Sequence, residues 1–346
     1  MKIIHIEGGL GNQMASYAVY IAVAESNPDD EFYIDTYLYD IKEAHSTISM
    51  WNGYELKSIF GVHIPDIRTL FTPEQVQEQI NYLRVSEFWK HDWNYAEIFI
   101  KMMKKYGFYI KNVYENTYNT QSGIKGTLKY TLRKIMASTA SNRLMYVGKH
   151  MVYGIYNRIS SDCGKYLYRH QSGDYFYDIT LDFMKSHFLN DTIGNQVRDG
   201  LSFSEPDDKD NIFFLDLIRN CNSVSLHVRR TDYLKFNEDC YKFGYFIKAT
   251  RHIKKQIHKP VFFIFSDDLE WCRNNLKTIG LTEDDSVYFV GINRDGNSYR
   301  DMQLIANCKH NIFTKSSFGW WGSFLNSNPN KVTCCQIGSY VSTIRF

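Results

Sequence analysis

Between residues 221 and 335 the sequence changes period again and again, and this constrains the fold more than any other feature. "NSVSLHVRRTDY" reads as a strand that ends in charge, and "GYFIKATRHIKKQI" as an amphipathic helix. "PVFFIFSDD" is a strand ending in two carboxylates, followed by the helix "LEWCRNNLKTIG", which Gly280 stops. "SVYFVG", "SYRDMQLIANCK", "HNIFTKSS", "FGWWGSFLN" and "KVTCCQ" continue the exchange as strand, helix, strand, helix, strand. About five alternations of this kind predict a parallel sheet with helices on both faces. The amino end opens the same way: a short apolar run from Ile3 to Ile6, the glycine turn "GGLGNQ", then "MASYAVYIAVAES" with helical spacing. "EFYIDT" is a second strand, and "TPEQVQEQINYL" a helix with Thr72 as N-cap and Pro73 behind it. A length of 346 residues suits one large domain or two ordinary ones.

In a parallel sheet ligands bind beyond the carboxyl ends of the strands. Arg229-Arg230, Asp267-Asp268 and Ser316-Ser317 each follow a predicted strand, so three motifs are expected to converge on one ligand. Adjacent arginines make planar, charged contacts with phosphate; the plainer reading is a surface ion-pair cluster. One of Asp267 and Asp268 is expected to cap the next helix, leaving the other for a ribose or base. Ser316 and Ser317 offer hydroxyls and N–H groups at a helix start, a seat for phosphate. Phe318, Trp320 and Trp321 either wall that pocket or pack the helix on the sheet. "GGLGNQ" allows close approach of a ligand at Gly9, Gly11 and Asn12, but it has neither dinucleotide nor Walker spacing and reads equally as a tight turn.

A net charge of +2 gives no case for a nucleic-acid partner. The seven cysteines have no metal-ligand spacing, and there is no HExxH or DxD triplet, so no metal is expected. No apolar run approaches the roughly 20 residues of a membrane span. These readings predict a cytoplasmic protein with reduced thiols.

The residues "GGLGNQMASYA", "HVRRTDY", "FSDDLEWC" and "TKSSFGWWGSFLN" stand in that order. Together they resemble the GDP-fucose-dependent α-1,2-fucosyltransferases, glycosyltransferase family 11, whose pattern is GGLGNQMFQYA, H(V/I)RRGDY, an SDD strand end with a following WC, and NSSFSWWGAWLN. The resemblance covers about the first 25 residues and most of 221–330. Thr231 stands where that family has glycine, a form shared with α-1,6-fucosyltransferases. Ala15-Ser16 replaces Phe-Gln on what would be the acceptor side.

The resemblance implies a GT-B architecture of two Rossmann-like domains facing across a cleft: residues 1–220 on the acceptor side and 221–346 binding GDP-fucose. It implies inverting transfer of fucose to a galactose-terminated glycan, with no cofactor beyond the donor substrate. Another fucosyl linkage, or a silent glycan- or nucleotide-binding protein, is the alternative. Arg229 and Arg230 would stabilise the leaving diphosphate with help from Ser316 and Ser317. His227 and Asp301 would read guanine, and Asp267 would face the ribose. Asp232 is a candidate base, with Glu238 and Asp239 as alternatives. Residues 122–165 read as a basic insertion; "KGTLKYTLRKIMAST" would place Leu128, Leu132 and Ile135 on one helix face and Lys125, Lys129 and Arg133 on another. Such a helix either packs on the first domain or makes weak peripheral contact with the inner membrane face.

Overall fold

The computed structural model describes residues 1–46, 52–91, 93–113, 144–145, 148, 151–152, 171–178, 191–231, 234, 240–314, 316–335 and 344–345. It forms two compact units, each built on its own parallel sheet. The first holds β1 (Lys2–His5), β2 (Phe32–Asp35), β3 (Lys111–Asn112) and β4 (Tyr175–Tyr177), in the order β2-β1-β4-β3. The second holds β5 (Ser223–Val228), β6 (Val261–Ser266), β7 (Ser286–Val290), β8 (His310–Phe313), β9 (Thr333–Cys335) and β10 (Ile344–Arg345), in the order β10-β9-β8-β5-β6-β7.

In the first unit the side chains of β1 alternate between two cores, as a strand's period of two requires. Ile3 joins Tyr37, Phe99 and Phe176 on one face. Ile4 joins Val19, Val23 and Ile34 on the other, under helix Leu10–Ser26. The expected helix after Thr72 spans Pro73–Val85. Its start is a full capping box: Gln75 N–H donates to the Thr72 hydroxyl, and the Gln75 side chain accepts from Thr72 N–H.

The expected strands and helices of the second half are present, except that the helix expected to run to Gly280 spans only Leu269–Asn274 and is followed by a 3-10 turn, Leu276–Ile279, which Gly280 ends. Val224, Leu226, Val228, Phe262 and Ile264 pack one face of that sheet beneath helix Tyr245–Gln256. Phe263, Phe265 and Val290 pack the other, against Leu215 and Ile218 of helix Lys209–Arg219 and Leu304 and Ile305 of helix Tyr299–Asn307. Helix Lys209–Arg219 therefore belongs to the second core, amino-terminal to β5. Counted from β5 as the first strand, the sheet runs 3-2-1-4-5-6, the doubly wound order whose direction of winding reverses between its first and fourth strands. That switch lies between β5 and β8.

Trp320 and Trp321 are both buried in helix Ser317–Leu325, so the packing reading holds for the pair. Trp320 stacks on Phe324 with ring centres 5.1 Å apart. Gly322 lets this helix meet helix Tyr299–Asn307, since a Cβ there would stand 2.4 Å from Ile305 Cγ2.

Candidate active site

The switch point gathers most of the second-half candidates. β5 and β8 pair with His227 opposite Phe313, and β5 and β6 pair with Val228 opposite Ser266. The chain leaving β5 therefore runs beside the chains leaving β6 and β8, and each carries its polar motif to the same edge.

Arg229 Nη1 lies 2.9 Å from Asp267 Oδ2. Asp267 Oδ1 accepts from the Arg230 N–H at 2.8 Å, and Oδ2 also accepts from the Thr231 hydroxyl. Asp267 thus clamps the turn 229–231. Asp268 is the helix cap: its Oδ1 accepts from Trp271 N–H at 3.1 Å, while Oδ2 accepts from Arg230 Nε at 3.0 Å. The Arg230 guanidinium lies over the Trp271 ring, and the Tyr241 hydroxyl donates to the Arg229 carbonyl at 2.9 Å. Both arginines are mostly covered, with side chains 19% and 13% exposed for Arg229 and Arg230.

His227 is buried at the end of β5. Burial, with the Arg229 charge adding to it, lowers its pKa to about 4, so the ring is neutral at pH 7. Phe318 stacks on it at 5.7 Å, and a Cβ at Gly319 would come within 2.6 Å of its Nδ1. Ser316 caps helix Ser317–Leu325 with no side-chain bond to it, leaving first-turn N–H groups directed to the sheet edge. Three buried polar atoms here make no hydrogen bond: His227 Nδ1, Thr314 Oγ1 and Trp320 Nε1. Unmet buried groups are uncommon and are expected where a ligand completes the site.

Asp301 sits in the first turn of helix Tyr299–Asn307 and accepts from Asn293 Nδ2 at 2.7 Å; Asn293 in turn pairs with Asn211. Burial pushes its pKa up to about 7, against the Asn293 bond. Gly9, Gly11 and Asn12 lie in the first unit, at the turn from β1 into helix Leu10–Ser26. Gly8 there has φ 72, and its carbonyl accepts from Gln13 Nε2 at 3.1 Å and from the Tyr39 hydroxyl at 2.9 Å. Asp232, Glu238 and Asp239 lie outside the described residues, as does most of the 122–165 segment. Among the described residues no group of three His, Cys, Asp or Glu could hold a metal ion, and no helix is long and apolar enough to cross a membrane.

Sequence reasoning did not single out Trp271, Tyr241 or Gly319. Trp271 appeared only as part of the SDD…WC resemblance; a tryptophan three residues past a capping aspartate was the available signal. It also passed over His5, Glu7 and Asp35, although "IIHIE" and "YID" both end apolar strands in titratable groups.

The family model described as Glycosyl transferase family 11 matches residues 149–337, more than half of the chain. An alpha-1,2-colitosyltransferase of Escherichia coli is 40% identical over 125 residues, 34% of this chain and 41% of that protein. The galactoside 2-alpha-L-fucosyltransferase SEC1 of Bos taurus is 34% identical over 107 residues, 30% of this chain and 28% of that protein. The matches span less than half the length of these curated relatives. Among solved structures, the fucosyltransferase NodZ from Bradyrhizobium aligns over 94% of this chain and 91% of that one, with a TM-score of 0.47 and 12% identity.

Proposed function

The chain belongs to glycosyltransferase family 11, and from that premise we propose that it transfers fucose from GDP-fucose to a galactose-terminated glycan, with inversion and an α-1,2 linkage. The observation that carries this reading is the convergence, at the β5/β8 switch point, of Arg229, a helix N-terminus and three unmet buried polar atoms. A diphosphate leaving group develops negative charge as its bond to the sugar breaks. Fixed positive charge and N–H donors aimed at it stabilise that charge without reorganising.

In this reading Arg229 and the first turn at Ser316 and Ser317 hold the diphosphate. Asp267 fixes the Arg229 guanidinium, and Arg230 braces the turn through Asp268 and Trp271. Neutral His227 and protonatable Asp301 are the groups offered to the base, with Phe318 beside His227. The first unit supplies the acceptor side through Gly9, Gly11 and Asn12, in a GT-B arrangement whose division falls ahead of helix Lys209–Arg219 and not at residue 220. The linkage is supported by the names of the relatives, both of which state transfer to a 2-position.

A second donor is favoured by one observation, the 40% identity to a colitosyltransferase. Colitose is fucose without its 3-hydroxyl. A pocket that hydrogen-bonds this hydroxyl rejects colitose strongly, whereas an apolar one discriminates weakly. GDP-fucose and GDP-colitose offered in competition with a panel of galactosides, followed by mass spectrometry and linkage analysis, test donor, acceptor and linkage together. Absence of transfer from both donors across the panel overturns the proposal.

A further inference from the structure

The first sheet has its own switch point, and a polar cluster occupies it that the donor-side reading does not use. β1 leads through helix Leu10–Ser26 to β2 on one side, while β4 lies on the other, so winding reverses between β1 and β4. Beyond their carboxyl ends stand Glu7 and Asp178.

His5, the last residue of β1, is fully buried and pairs in register with Asp35, the last residue of β2. Its Nδ1 lies 2.7 Å from Asp35 Oδ2. Tyr95 stacks on the imidazole at 4.5 Å and donates its own hydroxyl to Asp35 Oδ2 at 2.7 Å, while Tyr37 N–H donates to Oδ1 at 3.1 Å. Ring and carboxylate are thereby fixed. The other ring nitrogen, Nε2, is buried, makes no hydrogen bond of its own, and faces Glu7 Oε2 across 3.5 Å. That gap is too long for an ordinary hydrogen bond. Glu7 Oε2 accepts from Trp93 Nε1 at 3.3 Å, and its side chain is 17% exposed.

Burial alone would lower the His5 pKa, but the Asp35 bond and the negative charges of Asp35 and Glu7 outweigh it and raise it to about 10, so the ring is an imidazolium at neutral pH. Asp178 is pushed up to about 6 by burial, with His5 opposing and Glu7 and Asp35 adding. The Tyr39 phenol, which donates to the Gly8 carbonyl, is driven well up by burial, with the charges of Glu7, Glu55 and Asp35 adding. Of the carboxylates, Asp35 has both oxygens committed within the fold. Glu7 is the one that combines a fixed geometry with access to solvent.

We infer that Glu7 is the base of the transfer, taking the proton of the acceptor hydroxyl, with His5 and Asp35 as positioning residues that hold its carboxylate. This rests on the reading of the chain as an inverting glycosyltransferase. In the step, the acceptor oxygen forms a bond to the anomeric carbon as its proton passes to a Glu7 oxygen. The bond from that carbon to the phosphate oxygen breaks, and GDP leaves with the electron pair. Positioned general bases commonly contribute 100-fold to 10,000-fold.

The test compares wild type with Glu7→Gln, Glu7→Ala and His5→Gln, using GDP-fucose and a galactoside acceptor that the wild type uses. GDP binding, read by thermal shift, stays at the wild-type value in Glu7→Gln, while turnover falls at least 100-fold with acceptor KM changed less than about threefold. His5→Gln shifts the acid limb of the pH–rate profile, which a merely structural residue would not do. Azide added to Glu7→Ala gives fucosyl azide of inverted configuration, because azide attacks without a proton to lose. If Glu7→Ala does not fold, the isosteric Glu7→Gln carries the test through turnover and pH profile. Turnover of Glu7→Gln within tenfold of wild type, or an unaltered acid limb in it, overturns the inference. A wild type that transfers from no donor overturns the functional reading instead.

Discussion

The Arg230 guanidinium carbon lies over the Trp271 ring, 3.5 Å from its centre, while its Nε bonds Asp268, the residue that caps the Trp271 helix. One planar cation thus joins the turn after β5 to the helix after β6. Arg229, its neighbour, meets the Asp267 carboxylate through Nη1 at 2.9 Å. The two arginines should therefore fail differently. Arg230→Ala is expected to lower unfolding free energy by about 2 kcal/mol, and Arg230→Lys to recover little of it, since an ammonium lacks the flat face. Arg229→Ala should show its main effect in turnover, a loss on the order of 100-fold to 1000-fold. Urea unfolding and initial rates check both; near-normal turnover in Arg229→Ala would remove it from the diphosphate site.

Nucleotide selectivity follows from placing the base against His227 and Asp301. GDP at about 100 times its dissociation constant should add ~2.7 kcal/mol of stability, and UDP at the same concentration should add almost nothing. Differential scanning fluorimetry reads the contrast. Equal shifts would mean that only the diphosphate is recognised.

These two cases show what the sequence could and could not convey. Apolar periodicity exposed every strand of the second sheet up to β9, because each carries a run of hydrophobic residues between polar ones, and β5 and β6 run directly into charge. The motifs at those ends were legible for the same reason. What Asp267 does was not, because it depends on the pairing of Val228 with Ser266, which brings 229–231 alongside it. The His5–Asp35 pair was hidden likewise: His5 reads as an interruption in an apolar run until the register of β1 and β2 sets it beside Asp35. β3 and β4, of two and three residues, are too short to show any period.

Gly319 is a packing requirement at the donor edge. A Cβ there would stand 2.6 Å from His227 Nδ1 and 2.9 Å from Phe313 Cβ, and both neighbours are held in the sheet. Gly319→Ala is therefore expected to cost roughly 1–3 kcal/mol by overpacking and to weaken GDP binding by displacing the imidazole. The combined variant Gly319→Ala with His227→Ala relieves only part of the clash, because Phe313 remains. Denaturant midpoints of the single and double variants measure that coupling.

The lowered pKa of His227 gives a pH signature with a definite sign. In the unfolded chain the ring titrates near 6.5; in the folded protein burial and the Arg229 charge hold it near 4, with Asp267 opposing. Between those values the unfolded state binds the extra proton. Stability from this residue is fully present above about pH 6.5 and is lost progressively as pH falls towards 4, by on the order of 3 kcal/mol in total. Asp301 works with the opposite sign, since its raised pKa of about 7 means that the folded state takes up a proton first as pH falls. Wild-type stability alone mixes the two effects. The difference between wild type and His227→Gln, measured by urea unfolding at several pH values from 4 to 8, isolates the histidine: it should be flat above pH 7 and turn steadily against wild type below 6.5. A difference that is level across the whole range would mean that the ring titrates in the folded protein as it does in the unfolded chain, and that burial does not hold it neutral.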